Sequence, residues 1–400
     1  MFQPLSGLRV VDLTQILAGP YSTYQLALMG AEVIKVEMPD EGDATRTGMG
    51  DPALGGDKMG LSYVTQGSNK RSITIDLKKP EGLTLIKRLI ATADIFVQNI
   101  RPGAAGRLGL SFSDVKAIKP GIIYCSISAY GQDGPIGDRS AYDHVVQGMS
   151  GITMTTGTPD TVPNKVGAPY VDYATGLNAA FAIVSALHEA RRTGEAVELD
   201  VAMLDTSMLL MSSMMTSYLT TGNAPGPSGN EAQSRSPSSG AFETTSGVLM
   251  IAANNERQHQ QLCNAIGRPE LLSDDRWADI AIRRENVESL REEISNTIKG
   301  KSADEWEVIL NEAKVPAARV REFAEVMNEG QLKARGITAP IELPGLEVTA
   351  HVPTLGFKVN GDVVAPVAPP PELGQDTDVI LKELGCSAAE VAKLREVGAI

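Results

Sequence analysis

The sequence predicts an α/β protein: a large domain on a Rossmann-like parallel sheet, joined to a smaller helix-rich domain. Three observations predict it. Apolar runs of strand length alternate with helical patterns through the first 200 residues, the order that lays parallel strands beneath covering helices. A stretch rich in Gly, Pro, Ser and Asn interrupts the chain between Gly222 and Gly240. The segment that follows is mostly helical and polar.

In chain order, strands are expected at Leu8–Leu13, Val33–Glu37, Ile73–Ile75, Ile95–Val97, Ile122–Ile127 and Val197–Val201. Helices are expected at Tyr21–Met29, Pro80–Ala91 and Ala174–Arg191. Pro80 suits a first helical position, and Gly30 stands where a helix C-terminal glycine belongs. Residues 1–221 therefore form the first part of the large domain, 222–240 a linker or mobile loop, and 241–336 the small domain. Residues 337–400 return to complete the large domain through short strands, a proline-rich crossing at Pro366–Pro371 and a last helix. Capping boxes at Ser302–Glu305 and Ser387–Glu390 mark two helix starts.

Composition narrows the function. With 400 residues and 42% hydrophobic content the chain can bury a large core. The opening MFQPLSGLRVVDL lacks the basic and apolar regions of a signal peptide, and the apolar stretch Met203–Met215 is broken by Asp205 and four hydroxyl residues, so no membrane association is expected. Three scattered cysteines, Cys125, Cys263 and Cys386, suit a reducing compartment, and a cytoplasmic location is expected. The four histidines form no H-x-x-x-H pair, so no metal is expected. A net charge of −13 argues against nucleic acid. An anionic ligand would need a local basic pocket.

No G-x-G-x-x-G, Walker A, G-x-S-x-G or H-E-x-x-H motif is present; the glycines of Gly131–Gly137 form a turn around Pro135. Three segments carry more information. Leu17-Ala18-Gly19-Pro20 joins the first strand to its helix, either as a tight turn or as a ligand crevice at a strand C-terminus. Asn69-Lys70-Arg71-Ser72 reads as a solvated charged turn or as a cationic patch. In Gly167–Gly176, Asp172 is either the N-cap of the long helix, worth about 1 kcal/mol, or a preorganised nucleophile.

Taken in order, the segments resemble the class III CoA-transferases, the family of formyl-CoA:oxalate and carnitine CoA-transferases. The stations are Gly7–Leu13 with Ala18-Gly19-Pro20, Leu28–Glu37, Asn69–Ser72, Asn99-Ile100-Arg101-Pro102-Gly103, Arg107-Leu108-Gly109, Tyr142-Asp143 with Gln147, Ser150-Gly151, Asp172–Gly176, Val315-Pro316-Ala317 and Leu373–Thr377. They span nearly the whole chain. The resemblance implies a catalytic Asp172, coenzyme A held near Leu17, Ala18, Lys70, Arg71, Asn99, Ile100, Arg107 and Tyr142, and an interlocked homodimer. It implies an acyl-CoA donor, a small carboxylate acceptor and no metal. Two departures matter: the formate and oxalate branch has glutamine where this chain has Leu17, and a glycine-rich flap where it has Ser236-Pro237-Ser238-Ser239-Gly240. Both argue against formyl-CoA and oxalate as substrates.

Two alternatives stand beside the transferase. The fold implied also resembles that of α-methylacyl-CoA racemase, which needs a histidine near position 142, whereas here the imidazole sits two residues on, at His144. A catalytically silent CoA-binding subunit is the other; Asp172 argues against it.

Overall fold

The structure, a computed structural model, describes residues 2–47, 58–232 and 236–400. Gln233, Ser234 and Arg235, part of the expected 222–240 linker, lie outside them. The chain divides into two compact units: residues 1–152, 165–222 and 330–400 form one, and residues 153–164 and 223–329 the other.

The first unit is built on six strands: β1 (Arg9–Leu13), β2 (Glu32–Glu37), β3 (Lys70–Thr74), β4 (Ile95–Gln98), β5 (Ile123–Ser128) and β6 (Val197–Ala202). All pairings are parallel, in the order β3-β2-β1-β4-β5-β6. This is the doubly wound arrangement, whose ligand crevice lies at the strand C-termini where the order reverses, here between β1 and β4. Its helices include α1 (Ala18–Leu28), α2 (Leu61–Gly67), α3 (Pro80–Ala91), α4 (Ala104–Arg107), α5 (Phe112–Ile118), α6 (Asp143–Ser150), α7 (Tyr170–Thr193), α8 (Met203–Leu210) and α9 (Ser212–Thr221).

The pleat sends neighbouring residues to opposite faces. Val10, Val33, Val97, Cys125 and Val201 pack with Leu26 of α1 and Ala179, Ile183 and Ala186 of α7. Val11, Ile34, Ile73, Phe96 and Tyr124 pack with Leu85, Ile86 and Leu89 of α3 and with Ile380 and Leu381 near the C-terminus. The result is a sheet sandwiched between helices. Elements were found where expected, with three starts shifted by more than one residue. β3 begins at Lys70, because Lys70 and Ser72 turn inward to buried partners. α1 begins at Ala18, since Pro20 in a first turn sacrifices no helical hydrogen bond. α7 begins at Tyr170 because its first N–H groups are capped from another helix.

The α1-facing side of the sheet also carries a buried ionic network. Asp12, Glu37 and Asp43 meet Lys35, Arg46 and Lys70, and none of the six is more than 5% exposed. Lys70 Nζ donates to Asp12 Oδ2 at 3.0 Å, to Thr23 Oγ1 and to the carbonyl of Pro20. Lys35 Nζ donates to Asp43 Oδ2 and to the carbonyl of Thr14, each at 2.9 Å. Arg46 forks onto both oxygens of Glu37 at 2.7 Å. Three acids match three bases, which buried charge requires.

The second unit has its own core. Strands β7 (Ser239–Glu243), β8 (Val248–Ala252) and β9 (Ala317–Arg319) form an antiparallel sheet, covered by helices that include α10 (Glu256–Ala265). Trp277, Trp306, Leu262 and Ile294 fill the space between. The Ser302 and Ser387 capping boxes are both formed.

Asp12→Asn keeps the oxygen that accepts from Thr14 but replaces the one that accepts from Thr23 and Lys70, and leaves the Lys70 ammonium without its counter-charge. We expect a loss of about 3 kcal/mol in urea unfolding, against less than about 0.5 kcal/mol for the exposed control Glu198→Gln.

Candidate active site

The β1–α1 turn is held from below by that network. Thr14 N bonds Asp12 Oδ1 at 3.0 Å, and Ile16 N reaches Asp43 at 3.3 Å. Ile16 has φ +72°, a left-handed conformation that a β-branched residue adopts only under constraint. Its carbonyl takes a hydrogen bond from Gln66 of α2, so both sides of the strained peptide are pinned. Gly19 is required on contact grounds, since a Cβ there would come within 2.5 Å of Thr14 Cβ. Leu17 and Ala18 follow, both buried, at the N-terminus of α1.

Asn99 ties this turn to the loop after β4. Its Oδ1 accepts from Gln15 N at 2.8 Å and its Nδ2 donates to Gln15 O at 2.7 Å. Ile100 N bonds Gln98 Oε1 at 2.9 Å. Leu17, Ala18, Asn99 and Ile100 therefore assemble at the reversal point of the sheet. Arg107, at the end of α4, is exposed, as is Arg101, and neither has an ion-pair partner among the described residues. Lys70 lies beneath the turn with its ammonium sealed; burial pushes it down to about 8 despite Asp12. Arg71 sits elsewhere, near the N-terminal ends of the strands, bound to Glu32 and Glu383 and close to Asp376.

Helix α7 crosses α1 beside the crevice. Gly176 allows it: a Cβ there would lie 2.8 Å from the carbonyl oxygen of Ala18 and 3.1 Å from the Tyr21 ring. Asp172 stands one turn earlier, half-buried, on the same helix. The N-cap reading of Asp172 is corrected here, since Pro169 holds that position and makes no side-chain bond. The capping acceptor is Asp143 of α6, whose Oδ2 takes Val171 N at 2.9 Å and Asp172 N at 3.2 Å. Among the described residues no donor is bonded to the Asp172 carboxylate. Burial, with the Asp143 charge behind it, pushes that carboxyl up to about 7. Tyr142, the residue before α6, is 63% exposed, and His144 is also exposed.

Sequence reasoning assigned no role to Asp143 and did not reach the network under the turn. A usable signal existed for the network: Asp12 in VVDL and Lys35 in VIKVE are charges inside otherwise apolar strands. Among the described residues no group of three His, Cys, Asp or Glu side chains converges as a metal site, and no helix is long and apolar enough to cross a membrane.

A doubly wound sheet with a crevice at its reversal point, and a half-buried carboxyl pushed up to about 7 beside it, define an α/β protein of the kind that binds ligands at its strand C-termini. The chain belongs to CoA-transferase family III, whose sequence model matches residues 5–377. It is 36% identical over 392 residues to the succinate–glutarate CoA-transferase of Agrobacterium fabrum, covering 95% of this chain and 96% of that one. It is 34% identical over 382 residues to the succinyl-CoA:glutarate CoA-transferase of Homo sapiens, covering 96% and 86%. A crystal structure of a CAIB/BAIF family protein from Brucella suis superposes with a TM-score of 0.82 at 33% identity, covering 96% of this chain and all of that one. Relatives of this kind act on acyl-CoA donors and carboxylate acceptors.

Two outcomes follow from the geometry. Gly176→Ala drives a methyl group into the Ala18 carbonyl; we expect a loss of about 2 kcal/mol in denaturant unfolding. For Asp172 the folded state holds the proton more tightly than the ordinary 3.8, so stability falls as pH rises from about 4 to about 7. Asp172→Asn removes that penalty. Its Tm should exceed wild type by about 2 °C or more at pH 8, with the gap closing by pH 4.

Proposed function

We propose that the protein moves CoA from an acyl-CoA thioester to a free carboxylate, with Asp172 as covalent nucleophile. The observation that carries this is a half-buried carboxylate, pushed up to about 7 and bonded to no donor among the described residues, one helical turn from the Ala18 crevice. A carboxylate of that basicity is a stronger nucleophile than a solvated one.

In the first step an Asp172 oxygen attacks the thioester carbonyl; the C–S bond breaks, CoA thiolate leaves and a mixed anhydride forms. The thiolate then attacks the aspartyl carbon, releasing the donor as a carboxylate and leaving an aspartyl–CoA thioester. The acceptor carboxylate attacks this thioester, expelling the thiolate and forming a second anhydride. Attack of thiolate on the acceptor acyl carbon gives the new acyl-CoA and frees Asp172. Each half is an acyl exchange, and no proton need be transferred. The anhydrides require water to be excluded.

The CoA moiety is assigned to the crevice, against Leu17, Ala18, Asn99 and Ile100, with Tyr142 beside it. Arg107, with Arg101, is free for its phosphates, while Lys70 supports the turn from below through Pro20. Arg71 would have to exchange its carboxylate partners to reach a phosphate. The names of the relatives point to short dicarboxylates as donor and acceptor acids. Three free cysteines suit a cytoplasmic setting. The exposed Leu177, Phe181 and Val184, spaced along one face of α7, make that face the surface for a second copy in an interlocked homodimer.

Incubation with succinyl-CoA and no acceptor, followed by hydroxylamine and peptide mass spectrometry, should give a hydroxamate at Asp172. An unmodified Asp172, with succinyl-CoA demonstrably bound, would rule out the nucleophile. Turnover should rise with pH to a plateau, with a midpoint near 7, because only the ionised carboxylate attacks. In light scattering, Phe181→Glu should shift the protein from dimer to monomer.

A further inference from the structure

Every α-helix begins with backbone N–H groups that have no partner inside it. In α7 they fall at the residue on which the chemistry depends. Pro169 cannot cap them by side chain, and Asp172, which belongs to the first turn, does not do so. Asp143 does, from 28 and 29 residues away in sequence, through the two bonds to Val171 N and Asp172 N. Its other oxygen accepts from Gln147 Nε2 at 2.6 Å, and Gln147 Oε1 in turn accepts from Val166 N at 2.8 Å. Asp143 is 8% exposed and Gln147 wholly buried.

The pair thus grips both the loop entering α7 and the first turn itself. We propose that Asp143, seconded by Gln147, is a positioning residue of the transfer site: it fixes the start of α7 and hence the direction of Asp172, and it holds a like charge behind the nucleophile. This rests on the reading of Asp172 as nucleophile.

Two features set this apart from ordinary helix capping. Asp143 takes the donors that Asp172 would otherwise use, which leaves the Asp172 oxygens free for an electrophile. The charge that does the capping also disfavours ionisation of its neighbour, so the same side chain orients the nucleophile and raises its basicity. Other titratable groups on the elements packed against α7 are Tyr21 and Tyr24 of α1, His144 of α6, Tyr124 and Cys125 of β5, Glu198 and Asp200 of β6 and Asp205 of α8, with Tyr170, Tyr173, His188, Glu189, Arg191 and Arg192 on α7 itself. Of all these, Asp143 is the group whose charge acts on Asp172.

The test titrates Asp172 directly, by infrared difference between each protein and its Asp172→Asn counterpart, in wild type and in Asp143→Asn. The asparagine has the same shape and keeps one oxygen for the α7 N–H groups. We expect the Asp172 midpoint, near 7 in wild type, to fall by about one unit or more. We expect kcat with succinyl-CoA and glutarate to drop about tenfold while KM for the donor stays within about twofold. Asp143→Glu, which restores the charge, should return the midpoint toward wild type. A purely structural Asp143 would lower Tm and leave the midpoint unmoved. Hydroxamate at Asp172 in wild type with an unmoved midpoint in Asp143→Asn would sink the positioning role alone. A moved midpoint with no hydroxamate in wild type would sink the nucleophile and the positioning role together.

Discussion

The site hangs on six charges buried beneath one turn. Removing a lone carboxylate or ammonium from water costs several kcal/mol even after the protein relaxes, so such groups persist only where each is matched and fully bonded. Here Asp12, Asp43 and Glu37 are matched by Lys70, Lys35 and Arg46 on the α1 side of the sheet. Much of what they bond is backbone in or beside the β1–α1 turn: Thr14 N and O, Ile16 N and Pro20 O. The left-handed Ile16 carries strain on the order of 1–3 kcal/mol, and only surroundings that over-determine the chain can hold it. The network is that surrounding. It converts electrostatic pairing in the core into a fixed backbone at the crevice.

From that fixed turn the rest is a matter of contact. α1 starts where the turn ends, and Gly176 lets α7 come against Ala18 with no side chain between them. One turn back along α7 is Asp172, so its distance from the crevice is set by helical rise and not by a flexible loop. Asn99 closes the other side by tying the β4 loop to Gln15. On the proposed reading of Asp172, a nucleophile gains most from being placed before substrate arrives, because misplacement by an ångström can cost about a hundredfold. The protein places it with rigid elements throughout.

The fold was legible because it depends on pattern. Alternating apolar runs and helix-length periods marked each strand of the main sheet, and the glycine- and proline-rich stretch marked where the pattern changes. Asp172 was legible as a candidate, since a lone carboxylate between a Gly/Pro loop and a long helix stands out. Its setting was not. The cap of α7 comes from Asp143 on another helix, and local capping rules look only at neighbouring residues. That is also why the start of α7 was read four residues late.

Lys70 and Arg71 teach the complementary lesson about charge. Two adjacent cations in a protein of net charge −13 invite assignment to an anionic ligand. Adjacent residues in a strand point to opposite faces, however, and these two end in different places. Lys70 turns inward to Asp12 and is neutralised there; Arg71 turns outward to Glu32 and Glu383. Arg101 and Arg107 carry no such partners among the described residues and lie on the loop side of β4. What draws a phosphate is a cation whose charge is still uncommitted after folding, and folding commits charges by strand face. In this chain the committed charges build the turn, and on the proposed reading the uncommitted ones remain for the CoA phosphates.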